Sequence, residues 1–323
     1  MTGGVTAFSH KPVLLDEMIC ALQPRDGGRY IDGTFGAGGY SRAILESANC
    51  SVWAIDQDPD AISNNAATSL VKKYSGRLVV VQGRFGDMET LLTGLGLDKA
   101  DGITLDLGIS SIQLDNGNRG FSFRHDGPLD MRLSKAGRTA ADIVNETGES
   151  ELADIIFKNG EEPQARRIAR ALSVARELKK ITGTAQLADI VRSAVRHRKA
   201  GKIDPATKTF QALRIEVNDE LTELERGLKA TEIVLSPGGR VAVVSFHSLE
   251  DRIVKSFLRS RSGVHMGHSR HLPTQQTAKN ATTFRLIKRG VVKPKPSEIR
   301  DNPRARSARM RIAERLANKL SGG

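Results

Sequence analysis

A doubly wound α/β fold interrupted by an all-helical insertion is what the sequence predicts, on three observations. Over the first third of the 323 residues, short apolar segments that read as buried strands alternate with helical patterns. From residue 140 to about 198 the spacing is helical, with no strand pattern in between. An apolar strand at 240–246 then resumes the sheet. In chain order, 13–19 has helical spacing, 29–32 reads as a short strand, and 40–46 as the start of a helix. A strand at 51–56 precedes a helix at 59–74, whose start is signalled by Asp58-Pro59. Strand 78–82, a helix around 88–95 and strand 102–106 complete the first run.

Residues near 115–135 are a loop rich in Gly, Arg and Asp, and Gly160, Pro163 and Gly183 punctuate the helices that follow. Residues 213–235 read as one long amphipathic helix, and Pro237-Gly238-Gly239 as a turn. Helix 249–258, a flexible loop at 260–283, and a short strand with a Pro/Arg-rich end over 284–312 close the chain. The expected domains are 1–114 together with 209–323, and a helical insertion over 115–208 that reads as the part recognising substrate.

Composition narrows the function classes. With 39% hydrophobic residues there is material for a sizeable core, and with no run of 18 apolar residues no membrane span is expected. The first fifteen residues lack the basic and apolar regions of a secretory signal, so a cytoplasmic protein is expected. Cys20 and Cys50 match neither a disulfide framework nor a zinc spacing; buried free thiols are the plain reading, and no metal is expected. The net charge of +12 is uneven: from Arg252 onward there are 18 Lys and Arg against 3 Asp and Glu. Residues 158–208 hold 13 against 5. Such asymmetry suits a polyanionic partner, although a solubilising tail has the same composition.

The chemistry begins at Asp32-Gly33-Thr34-Phe35-Gly36-Ala37-Gly38-Gly39, where a strand runs into a glycine loop and a helix start. Glycines there let backbone amides approach a ligand at a helix N-terminus. A dinucleotide fingerprint needs a third glycine or an alanine where Ser41 stands, so NAD is disfavoured. The spacing resembles the Asp-x-Gly-x-Gly-x-Gly loop of S-adenosylmethionine methyltransferases, with Thr34 at the first glycine. Asp56, about 20 residues on at the end of the second strand, is placed to bind ribose hydroxyls. Asp58 is the alternative, but the following proline marks it as a helix cap. Asp106-Leu107-Gly108-Ile109-Ser110-Ser111 ends the fourth strand, where enzymes methylating exocyclic amines place an Asp- or Ser-led loop. The amine lone pair is delocalised into the ring, and a carboxylate accepting its hydrogen bonds would orient it for attack. This loop lacks the two prolines and aromatic residue usual there, and neither cysteine is placed as the nucleophile that carbon methylation requires.

Several longer motifs sharpen this. His10-Lys11-Pro12-Val13-Leu14-Leu15, the glycine loop and the Asp106 loop are joined by Arg119-Gly120-Phe121-Ser122-Phe123 and Asp126-Gly127-Pro128-Leu129-Asp130-Met131-Arg132. Thr209-Phe210-Gln211-Ala212-Leu213-Arg214, Ser245-Phe246-His247-Ser248-Leu249-Glu250-Asp251 and Asn302-Pro303-Arg304-Ala305-Arg306-Ser307-Ala308 follow in order. Together they resemble the bacterial 16S rRNA cytosine-N4 methyltransferase family over residues 10 to about 315.

The resemblance implies a Rossmann-like methyltransferase sheet with a helical insertion. It also implies S-adenosyl-L-methionine as cofactor, and 16S rRNA as substrate, plausibly within the assembled small subunit; a homodimer is left open. By position it carries cofactor contacts onto Gly38, Gly39, Tyr40, Asp56, Phe85, Asp106 and Gln113. Tyr40 departs from the family, which commonly has His there; a backbone contact would survive the change. Phe85 can flank adenine or simply pack. Asp106 is the candidate for orienting the amine, and His247 is a general base, a contact to the target base or a core histidine. Phe121 and Phe123 stack on a flipped base or anchor a loop, and Asp126, Asp130 and Arg132 read as a structural network or a pocket wall. Arg304, Arg306, Arg309 and Arg311 are the expected RNA-phosphate contacts, with a solvated surface as the alternative. Rival readings are a DNA or tRNA amine methyltransferase and a noncatalytic RNA-binding assembly factor.

Overall fold

The computed structural model describes residues 12–195, 204–263 and 282–317. His10, Lys11 and most of the segment expected as a loop at 260–283 lie outside the described residues. The chain divides into two compact units, Met1–Gly108 with Glu223–Gly323, and Ile109–Thr222.

The first unit opens with α1 (Leu15–Leu22), β1 (Arg29–Asp32), α2 (Gly39–Ser47) and β2 (Ser51–Asp56). Then come α3 (Pro59–Ser63), α4 (Asn65–Lys73), β3 (Leu78–Gln82), α5 (Met88–Thr93) and β4 (Ala100–Asp106). The helix expected at 59–74 is two helices. Asn64 leaves the helical region between them, and its side chain accepts the Ala67 N–H at 2.8 Å, a cap that Asn makes better than it tolerates a helix interior.

The second unit is helical: α6 (Ser111–Asp115), α7 (Ala140–Glu146), α8 (Glu149–Gly160), α9 (Ala165–Leu178), α10 (Thr184–Ala194) and α11 (Ala206–Asn218). Its core gathers Val144, Ile156, Ile168, Leu172, Leu187 and Val191 with Phe210 and Leu213 of α11. Those last two place the boundary after 208: the compact unit runs to Thr222, and it starts at Ile109 rather than 115. The single helix expected at 213–235 is likewise broken, because Asp219 adopts φ 50° between α11 and its successor. Asn218 explains part of that break. Its side-chain oxygen accepts the Leu133 N–H and its amide donates to the Met131 carbonyl, both at 2.8 Å, pinning the loop before α7.

The chain continues through α12 (Glu220–Val234), β5 (Leu235–Ser245), α13 (Ser248–Arg261), β6 (Phe284–Leu286), α14 (Pro296–Asp301) and β7 (Arg309–Arg315). One sheet of seven strands results, ordered β3-β2-β1-β4-β5-β7-β6, with β1 to β5 parallel and β7 antiparallel to both neighbours. Alternate residues feed two cores. Tyr30, Ala242 and Val244 face one beside α1 and α2, whereas Ile31, Val241 and Val243 face the other beside α5, α12 and α13. This is the Rossmann-like, doubly wound α/β class.

The Pro/Arg-rich end hides β7, where Met310 and Ile312 are buried between Arg309, Arg311 and Arg315. Between β1 and β4 the strand order reverses, which opens a crevice at the carboxyl ends of both strands. Cys50 is buried as expected, but Cys20 is exposed on α1. Among the described residues no helix is long and apolar enough to cross a membrane.

Candidate functional site

Asp32 closes β1 at that crevice and is fully buried. Its Oδ2 accepts the Ser41 hydroxyl at 2.7 Å and the Ser41 N–H at 3.1 Å, and Oδ1 accepts the Thr34 N–H at 3.3 Å. Burial pushes the Asp32 carboxyl up to about 6; Ser41 and Thr34 oppose the rise and the charge of Asp56 adds to it. Ser41, the residue that breaks the dinucleotide fingerprint, is therefore the clasp between strand and helix.

The glycines between them have different reasons. Gly36 and Gly38 adopt φ of 54° and 75°, the left-handed region that a side chain disfavours. Gly39 has a packing reason: a Cβ there would stand 2.3 Å from Pro12 Cγ. Tyr40 follows with its ring buried and its hydroxyl donating to the Val13 carbonyl. The side chain is thus committed to the core, and only the backbone of this position is left to meet a ligand.

Asp56, at the end of β2, accepts the Gly36 N–H at 2.7 Å and the Asp58 N–H at 2.9 Å. Its carboxyl is raised by burial against those two hydrogen bonds. Asp58 accepts the Asp60 N–H at 3.0 Å and caps α3, the role that Pro59 suggests.

Asp106 ends β4. Its backbone N–H donates to Thr34 Oγ1 at 2.7 Å, so the residue standing in place of a glycine ties the two loops together. Its Oδ1 is buried with no hydrogen-bond partner among the described residues. Burial drives this carboxyl well above the usual range, and the charges of Asp32 and Glu250 push it further. A buried, unpartnered carboxyl oxygen is costly, and a cation or a hydrogen-bond donor relieves it.

The remaining expected contacts are placed as follows. Phe85 lies in a short 3-10 turn with its ring against α12, where a Cβ on Gly227 would come within 2.3 Å of it. Buried Glu223 braces that turn, accepting the Gly86 N–H at 2.6 Å and Arg84 Nε at 3.0 Å. Sequence reasoning missed Glu223; its only signal was an acid on the inward face of an amphipathic helix. Gln113 belongs to the helical unit and forms a capping box at the start of α6, its Oε1 accepting the Ser110 N–H at 2.8 Å. His247 caps α13: Nδ1 accepts the Glu250 N–H at 3.4 Å, and Nε2 sits 3.1 Å from Glu250 Oε1 without hydrogen-bond alignment.

The arginines do not form one free cluster. Arg311 holds Asp251 of α13 at 2.7 and 3.1 Å and is only 12% exposed, which corrects its reading as an open phosphate contact. Arg309 reaches the same carboxylate at 3.2 Å but is about half exposed, and Arg306 is exposed. Arg304 is partly exposed.

In the helical unit Phe121 is buried, and Phe123 packs edge-on against Phe210 at 4.9 Å, so both anchor the loop. Asp126 accepts the Gly127 and Ala185 N–H groups at 3.0 Å, and Asp130 pairs with Arg132 at 2.7 Å. These are structural contacts.

Residues 7–316 match the model of the MraW methylase family. Three relatives are each named ribosomal RNA small subunit methyltransferase H. That of Rhodospirillum centenum is 60% identical over 98% of this chain and 95% of its own length. That of Paramagnetospirillum magneticum is 56% identical over 95% and 96%, and that of Acidiphilium cryptum 54% over 98% and 100%.

Proposed function

This chain belongs to the MraW methylase family, and on that premise we propose that it methylates the exocyclic N4 amine of one cytidine in the decoding centre of 16S rRNA. The donor is S-adenosyl-L-methionine, and the cytoplasmic substrate is the rRNA held within the small subunit. The observation that carries the reading is Asp106: a buried carboxyl oxygen without a partner, at the end of β4, where the sheet opens.

The crevice fits the donor. Burial raises both Asp32 and Asp106, with the charge of Asp56 adding at Asp32 and those of Asp32 and Glu250 adding at Asp106, a concentration of carboxyls that a cation stabilises. S-adenosyl-L-methionine, when bound, supplies an electrophilic methyl group on positively charged sulfur. Asp56 would hold its ribose hydroxyls, and the backbone of Gly38, Gly39 and Tyr40 at the start of α2 would receive its carboxylate. Phe85 would offer an apolar wall, and Gln113 is the remaining expected contact.

Asp106 Oδ1 would accept a hydrogen bond from the target amine, turning the nitrogen lone pair out of conjugation. Its affinity for a proton is low while a cation stands beside it and high once that charge is gone. Oδ1 can therefore take the amine proton after transfer without a separate strong base. His247 caps α13. Arg304, Arg306 and Arg309 would meet phosphates, the part that needs no sequence readout.

The test supplies labelled donor with unmodified small subunits, naked 16S rRNA, tRNA and DNA, then digests the products to nucleosides. N4-methylcytidine at one position, chiefly in subunits, is the expected result. Label in none of them would sink the reading, and label in tRNA or DNA alone would move it to another nucleic acid.

A further inference from the structure

At the other edge of the sheet, α13, β7 and the segment after β6 line a shallow, partly open pocket whose interior offers only about 10 Å³, room for about one water. Lys255 and Arg259 project from α13, Lys288 and Arg289 from the segment following β6, and Arg311 from β7. The floor is apolar, made by Leu258, Leu286 and Ile312, and no carboxylate lines the space.

Arg311 is already neutralised by Asp251. The other four cations have no ion pair or side-chain hydrogen bond among the described residues. Lys255 and Arg259 are also one helical turn apart, a like-charge pair that works against α13. Four cations around one space, with no partner among the described residues, repel one another through solvent, and a bound anion relieves that repulsion.

Their location names the anion. Asp106, Val244 and Met310 lie side by side across β4, β5 and β7. At about 4.8 Å per strand, β7 runs about 10 Å from the backbone of Asp106, and Arg311 is the residue next to Met310. A strand of RNA presenting a cytidine at Asp106 covers that distance within a few nucleotides. The pocket is open to solvent on the side of the exposed Lys288 and Arg289, as a polymer requires.

We propose that the cations around the mouth of this pocket hold a backbone phosphate of the substrate RNA beside the methylated cytidine; the inference rests on the reading that RNA is the substrate. Phosphodiester recognition by convergent Lys and Arg is sequence-independent and sets register on the strand.

The test compares the wild-type chain with a Lys255→Gln, Lys288→Gln, Arg289→Gln variant. The probe is a single-stranded RNA of the 16S decoding region, titrated at several salt concentrations. The slope of log Kd against log salt should fall by about 0.7 for each phosphate that the variant no longer neutralises. The KM for RNA should rise with kcat and donor affinity unchanged, and a Lys288→Arg, Arg289→Lys variant should restore the slope. Unchanged slope and KM in a variant that still binds donor would overturn the proposal, as would a weakening confined to whole subunits. RNA binding is read without turnover, so a wild-type chain that binds RNA but transfers no methyl group would defeat the functional reading alone.

Discussion

At the β1–β4 crevice the carboxyls of Asp32 and Asp106 are pushed up by burial, and no cation among the described residues lowers them. At the β5–β7 edge Asp251 is less deeply buried; burial raises it too, but Arg311 and Arg309 outweigh burial and hold it below the usual carboxylate range. The same side chain is thus destabilised at one place in the sheet and satisfied at another. What differs is whether the fold supplies the counter-charge. At the edge the described residues supply that counter-charge; at the crevice they do not.

The largest effect expected from breaking this contrast is at Asp106. Asp106→Asn should lower kcat by roughly 100- to 1000-fold, the range for losing an oriented group at the reacting atoms. Donor affinity should fall as well, since a carboxylate facing the cationic donor is lost, but by less than kcat, as read by single-turnover transfer beside equilibrium binding. Turnover kept near wild type would make the crevice as structural as the edge.

Asp56→Ala should weaken donor binding roughly 10- to 100-fold, from about 1.5–3 kcal/mol of hydrogen bonding to a charged group. Calorimetric titration checks it. Asp251→Asn should do the reverse: transfer stays within a few-fold, and urea unfolding shows a loss of up to about 1.5–3 kcal/mol, reduced because Arg309 is half exposed.

The pH dependence separates the two places by sign. Asp32 rises to about 6 in the folded chain from an unfolded value of about 4. Its contribution to stability is therefore complete below about pH 4 and lost as pH climbs through about 6. Asp251 is lowered, so its contribution is present above about pH 4 and disappears as pH falls through its folded value. In thermal melts of the donor-free protein, Asp32→Asn should flatten the profile between about pH 4 and 6. Asp251→Asn should flatten it only on the more acidic side. Coincident profiles would dissolve the distinction. The smallest expected change is Tyr40→Phe: about 1 kcal/mol of stability, for one buried hydrogen bond, with donor affinity unaltered.

Much of the crevice is legible in the sequence because it rests on short-range rules. A strand ending in Asp32, glycines where φ is positive, and Pro59 behind a capping Asp58 are local facts that backbone geometry enforces. What escaped are partnerships between distant segments. Ser41 reads as a missing glycine until it is seen grasping Asp32, and Arg311 reads as an RNA contact until Asp251, 60 residues earlier, is found beside it. The strand β7 escaped because arginines on alternate positions mask the buried Met310 and Ile312. The helix expected at 213–235 failed at Asp219, since apolar periodicity continues on both sides of a one-residue break.

By itself the sequence determined the α/β class, the helical insertion, the acidic ends of β1, β2 and β4, and a basic C-terminal segment from Arg252 onward, all carried by periodicity, turn chemistry and composition. Only the tertiary structure decided which charges are spent inside the protein and which are left for ligands. Pairing depends on distance and burial across strands far apart in the chain, and no local pattern encodes them.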